Sequence, residues 1–152
     1  MSRSTVAVLL GLWFPVVGFS QSARVQHSIS AAEIDVVAND YAFMPLPPGI
    51  KPGLTTFTFA NQGKVQHELA LGRLKHGVTL DDVLKGVKGG GRPRDFLERS
   101  VGILVAVPGQ SPEGRLLVDL QAGETYLLYC NFRDTPEAPM HVILGMYTSF
   151  RP

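Results

Sequence analysis

Tyr126-Leu127-Leu128-Tyr129-Cys130-Asn131-Phe132, followed by Pro139-Met140-His141-Val142-Ile143-Leu144-Gly145-Met146, decides the reading of this chain. The first run predicts a strand over Thr125 to Asn131, on which Tyr126, Leu128 and Cys130 share one face. The thiol then enters the end of a core from its apolar side. Pro136 and Pro139 stiffen the loop that follows, so it holds its shape on its own. On a strand, a separation of five would put His141 and Met146 on opposite faces. Gly145 between them predicts a turn that returns both side chains to one centre.

Working upstream, Val65 to Leu71 alternates, with Val65, His67, Leu69 and Leu71 on one face and Gln66 and Glu68 on the other. Glu68 is therefore expected to point outward. Singly, a histidine, a cysteine or a methionine on an apolar face reads as core packing. Their order changes that reading: a strand histidine, then a cysteine, a loop, a second histidine and a methionine. His67, Cys130, His141 and Met146 make a soft nitrogen-and-sulfur donor set suited to one copper ion in electron transfer. Asn61 and Asn131 are candidates to hold the ligand orientations.

The rest of the chain reads as strands and turns. Strands are expected at Glu33 to Ala38, Leu54 to Ala60, Val101 to Val107, Arg115 to Leu120 and Val142 to Ser149. The stretch Pro45-Leu46-Pro47-Pro48-Gly49 forbids a central strand. Residues 73–100 interrupt the pattern. Thr79 caps a short helix with Asp81 and Asp82 in its first turn and Val83, Leu84 and Val87 on its apolar face. Gly89-Gly90-Gly91 reads as a mobile connection, since no Lys-Ser/Thr pair completes a phosphate cradle. The class is all-β: a sandwich of roughly 7 to 8 strands with a short helical insertion around 79–99.

Residues 1–22 read as a signal peptide: Arg3, then an apolar run from Val6 to Phe19, then small residues. That run is short for a membrane span, so no span is expected after cleavage. Residues 23–40 read as a flexible lead-in and first strand, and 41–152 as the metal-binding domain. The expected location is the periplasm or the exterior. The chain holds a single cysteine, so an exported form has no internal disulfide and the thiol wants another role. Without Arg3, basic and acidic residues balance, which gives no support for nucleic-acid binding.

These residues resemble the cupredoxin family of small blue (type 1) copper proteins. The resemblance runs from about Tyr41 to Phe150. It is carried by Phe43-Met44-Pro45, by Phe59-Ala60-Asn61-Gln62-Gly63 before His67, by Leu120 to Tyr126 before Tyr129-Cys130, and by Pro139-Met140-His141 with Gly145-Met146. It implies a Greek-key sandwich with copper at one end, held by His67, Cys130, His141 and Met146. The segment Pro139 to Met146 is similar to the copper-ligand loop in the type 1 domain of copper nitrite reductases. The Cys-to-His loop and the insertion are longer than in the smallest members.

The resemblance implies a shuttle of single electrons between redox proteins. They would dock near His141, whose ring edge is often exposed in an apolar patch in that family. Met140, Pro139, Pro136 and Pro45–Pro48 are the expected patch. The alternative is a copper-binding protein for sequestration or delivery. An enzyme is not expected, because only His27 and His76 remain to build a second metal centre.

Overall fold

The computed structural model describes residues 31–152. The signal peptide and most of the lead-in expected from the sequence lie outside the described residues. Eight strands form two four-stranded sheets. The first has the order β2-β1-β3-β6, from β1 (Ala32–Asn39), β2 (Ala42–Phe43), β3 (Gly53–Asn61) and β6 (Leu116–Leu120). The second has the order β5-β4-β7-β8, from β4 (His67–Leu74), β5 (Leu97–Ala106), β7 (Tyr126–Tyr129) and β8 (Tyr147–Phe150). The expected all-β sandwich is the fold of the chain.

Strand β1 belongs to the sandwich rather than to a lead-in. It pairs in parallel with β3 from Ala32 opposite Thr55 to Ala38 opposite Asn61. Ile34, Val36 and Ala38 alternate inward to meet Phe57 and Phe59, while Glu33, Asp35 and Asn39 stay exposed. This period of two is what a sheet with one solvated face requires.

The second sheet differs, because both faces of β4 and β7 are covered. The core between the sheets takes Leu69 and Leu71 of β4 with Tyr126 and Leu128 of β7, and Cys130 and Met146 at its end. A separate cluster on the outer face takes Ala70, Leu74, Leu127 and Tyr129 against Val83 and Val87 of helix α1 (Leu80–Lys88). The inserted segment is thus a lid on the outer face of β4 and β7. Burying side chains on both faces explains why β4 and β7 show so little polar alternation.

Helix α1 forms as its sequence dictates. The Thr79 hydroxyl accepts the Asp82 amide at 3.2 Å, and the Asp82 carboxylate accepts the Thr79 amide at 2.9 Å. This reciprocal cap satisfies two otherwise orphaned amides. The expected mobile glycine connection is instead a tight cap. Gly89 and Gly91 donate to the carbonyls of Lys85 and Gly86, both at 3.0 Å. A 3-10 turn at Pro93–Phe96 then leads into β5, which starts at Leu97, ahead of the expected Val101.

One strand boundary is corrected. Val142 does not begin a strand: His141–Leu144 is a single helical turn, α2, and β8 starts only at Tyr147. The apolar run Val142-Ile143-Leu144 read as extended, but Met140 accepts from the amides of Ile143 and Leu144 and closes a turn. Gly145 ends it at φ +115°, a conformation that a side chain strains.

Candidate metal centre

Three of the four expected donors meet at the end of the sandwich. His67 opens β4, Cys130 follows directly after β7, and His141 is the first residue of α2. One ligating atom from each lies within 4.8 Å of the other two. The two Nδ1 atoms are 3.2 Å apart, and the Cys130 sulfur is 3.4 Å from Nδ1 of His141. All three residues are buried, with exposures of 1% or less.

Met146, the fourth, is also fully buried and belongs to the core cluster that contains Cys130. Its carbonyl accepts the Cys130 amide at 3.2 Å. The segment is laced by further backbone bonds: His141 N–H to Phe132 at 2.8 Å, Val142 N–H to Cys130 at 2.9 Å, and Met146 N–H to His141 at 2.9 Å. The turn at Gly145 thus returns the Met146 amide to the His141 carbonyl. Four backbone hydrogen bonds hold the loop before any ion is considered.

The ring orientations are set by residues the sequence reading did not single out. Nε2–H of His141 donates to Oδ1 of Asp134 at 3.0 Å. Oδ2 of Asp134 accepts from the Tyr41 hydroxyl at 2.5 Å. The Tyr41 ring stands edge-on to His141, with centroids 5.0 Å apart. Hydrogen bonds from Tyr41 and then His141 hold the Asp134 carboxyl below its usual range, and the same carboxylate pushes the Tyr41 hydroxyl up. A carboxylate on Nε2–H leaves Nδ1 of His141 as a bare lone pair aimed at Cys130 and His67.

His67 is less well satisfied. Its Nε2 is buried without a hydrogen-bond partner, and the nearest carboxylate oxygen, on Asp40, is 3.8 Å away. Burial and then the neighbouring His141 hold its pKa down, so the ring is kept neutral. A proton on Nε2 leaves two imidazole lone pairs and a sulfur facing one point. A proton on Nδ1 leaves Nε2 an orphaned acceptor. A cation at the centre relieves the facing lone pairs, because both rings then use Nδ1 as donors, and the His67 Nε2–H is left with the Asp40 carboxylate at 3.8 Å. The donor separations also suit such an ion: three bonds of about 2.0–2.3 Å in a trigonal plane place donors roughly 3.5 Å apart. The residues present fit the ion their chemistry implies.

Cys130 sits under the same constraint. Burial pushes its thiol up to about 11, while backbone amides of Glu68 and Phe132 pull the other way. The Glu68 amide lies 3.4 Å from the sulfur. The expectation that Glu68 points outward holds only in part. Its side chain leaves the ligand face but is 6% exposed, because the outer face is itself covered. There Oε1 accepts the Asn131 amide at 2.8 Å, and burial raises the Glu68 pKa. Glu68 is not among the clustered donors.

The two expected supporting asparagines act through the backbone rather than on the rings. Asn61 donates from Nδ2 to the carbonyls of Val65 at 2.8 Å and Ala106 at 3.0 Å, and its Oδ1 accepts the Gly63 amide at 2.8 Å. It pins the turn before His67 to β5. Gly63 in that turn has no room for a side chain: a Cβ would lie 2.5 Å from Asp40 Oδ1 and 3.0 Å from His67 Nε2. Asn61→Ala leaves buried carbonyls unpaired and is expected to cost about 2–4 kcal/mol, read by chemical denaturation. A loss under about 1 kcal/mol would contradict the role given to Asn61 here.

Another expectation is corrected by burial. The His141 ring edge is not exposed, because Tyr41 and Asp134 cover Nε2 and the residue is 1% exposed. Pro45–Pro48 lines a groove with Thr148–Arg151 of β8 and its end. Met140 is half-buried beside three arginines. The expected uncharged rim is therefore a charged one. No helix among the described residues is long and apolar enough to cross a membrane.

No protein-family model matches the chain, and no curated protein matches its sequence. Solved structures do match its fold. Dithionite-reduced auracyanin from the photosynthetic bacterium Roseiflexus castenholzii is 19% identical, over 80% of this chain and 98% of that one, with a TM-score of 0.53. Auracyanin B is 20% identical over 80% and 88%, with a TM-score of 0.53. Auracyanin A from Chloroflexus aurantiacus, described as a blue copper protein, is 17% identical over 80% and 98%, with a TM-score of 0.51. At these identities the likeness is one of fold.

Proposed function

We propose that the chain is a blue copper protein that carries single electrons between redox partners, with one copper ion held by His67, Cys130 and His141 and with Met146 as the weak thioether. The observation that supports this reading best is the convergence of two buried Nδ1 atoms and one buried sulfur, at 3.2 and 3.4 Å, in a fold shared with auracyanins. A bound copper would supply a Cu(I)/Cu(II) couple, and a trigonal soft donor set with a weak axial ligand serves both states. The chain's own part is to hold the donors still. The laced loop fixes Cys130, His141 and Met146, and Asp134 fixes the His141 ring. Full burial keeps water from the sulfur. Export to the periplasm or beyond, through residues 1–22, is part of the same proposal.

Cyclic voltammetry of the loaded protein tests this reading. A reversible one-electron couple is expected, since a rigid site rearranges little between states. Tight Cu(I) binding without a reversible couple would point to sequestration or delivery instead. A pH series gives a second check. Binding must displace the Cys130 proton, whose pKa is raised to about 11 by burial. Between neutrality and that value, apparent affinity should rise about tenfold per pH unit, because one proton leaves per ion bound. An affinity flat with pH would show that the thiolate is not a ligand.

A further inference from the structure

We propose that the shallow pocket formed by Arg92, Arg94, Arg133, Asn131 and Met140 is a docking surface for the acidic patch of an electron-exchange protein. The inference rests on the copper reading above and supplies the chemistry of the partner. The three arginines come from two separate elements. Arg92 and Arg94 flank the buried Pro93 at the start of the 3-10 turn, and Arg133 lies in the loop between Cys130 and His141. The turn is held from both sides: Lys75 donates its amide to Phe96 at 3.0 Å and its Nζ to the Asp95 carbonyl at 2.8 Å. The Arg133 guanidinium is steadied by the Ala138 carbonyl.

All three arginines are exposed, and none forms an ion pair among the described residues, where the pairs are His67–Asp40, Arg115–Glu33 and His141–Asp134. Three nearby carboxylates are engaged in other hydrogen bonds, while Glu137 is exposed in the same loop as Arg133. Asp95 accepts the Arg92 amide, Glu68 is buried on the Asn131 amide, and Asp134 is held by Tyr41 and His141. The chain carries a formal net charge of only +1, so the three arginines that line this pocket are a local feature rather than part of a general basic field. Arginine is suited to this use, since its planar fork meets carboxylates in a bidentate way.

Position makes the surface useful. Asn131 is covalently next to Cys130, and Met140 is next to His141, so the pocket abuts the backbone of two donors. The ring edge of His141 itself is closed by Tyr41 and Asp134. A partner seated on the arginines lies one residue from the thiolate and one from the imidazole. Unpaired surface charge gives steered, brief and salt-sensitive association, which suits a carrier that must let go.

The test needs no copper at its first stage. Isotope-labelled, copper-free protein is titrated with a hexaglutamate peptide at low salt, followed by backbone amide shifts. Shifts centred on Arg92, Arg94, Asn131 and Arg133 are expected. Binding should weaken about tenfold or more in Arg92→Glu/Arg94→Glu, and on raising salt to about 0.5 M. No shifts, shifts centred elsewhere, or binding unchanged in a folded double variant would overturn the proposal.

The second stage uses loaded protein. Oxidation by anionic hexacyanoferrate(III) at low salt should slow about tenfold or more in the double variant. Oxidation by cationic tris(phenanthroline)cobalt(III) should not slow. Equal slowing of both would overturn the docking role. Absence of any reversible couple would sink the electron-transfer reading alone, and the peptide titration would still judge the surface.

Discussion

Replacing Cys130 by serine is expected to abolish the visible thiolate–copper band and to lower copper affinity by roughly a hundredfold or more, since even a residue that only supports a ligand is worth 10–100-fold. The sulfur is the one soft anionic donor in the cluster, and it is fully buried among groups arranged around it. Serine keeps the size and loses the thiolate, so folding should survive. Met146 O would still accept the amide of residue 130, and Val142 would still donate to its carbonyl. The check is an optical spectrum beside a competition titration for Cu(I), with circular dichroism to confirm the fold. A variant that kept its band would remove Cys130 from the centre.

The second large effect is expected at Asp134. Asp134→Ala removes the carboxylate 3.0 Å from His141 Nε2 and should weaken copper binding about 10–100-fold. It frees the ring to place its proton on Nδ1, which blocks the donor atom. It also deletes a negative charge beside the site, so Cu(I) should gain on Cu(II) and the reduction potential should rise. Tyr41→Phe keeps the carboxylate and removes the hydroxyl that neutralises part of its charge, so affinity should change little and the potential should not rise. Titration with each copper ion and voltammetry read both quantities. Equal affinity in Asp134→Ala and the parent would show that the bond to Nε2 does not set the tautomer.

Patterning in the sequence made the clustered donors legible and left their supports dark, for physical reasons. Alternation along β7 put Cys130 on the face of Tyr126 and Leu128, and alternation along β4 put His67 with Leu69 and Leu71. The inner core holds those residues together. Such patterns are local and follow from a period of two. The Thr79 cap is local as well.

Asp134 and Tyr41 are ninety-three positions apart, and nothing in either neighbourhood announces their hydrogen bond. Tyr41 reaches the site from a backbone with φ +59°, a conformation that pattern reading does not foresee. The burial of Glu68 was missed for a related reason. A strand residue facing away from the core is exposed unless something covers that face, and here the inserted segment with α1 does. The turn at α2 was hidden by composition, because Val142-Ile143-Leu144 favours a strand until the bonds of the ligand loop are drawn.

These misses bear on function. The residues found by pattern are the proposed donors, and those found only in the structure close the His141 edge and leave the arginine pocket open. The family resemblance put the partner at the imidazole. The buried ring moves attention one residue along the chain on each side, to Asn131 and Met140.

The most direct test of the central claim is the absorption spectrum of the protein without residues 1–22, loaded with one equivalent of Cu(II) and freed of excess. The account predicts an intense visible band from thiolate-to-copper charge transfer, bleached by a reductant and restored by an oxidant. A colourless complex, or no complex, would contradict a blue copper centre built from His67, Cys130 and His141.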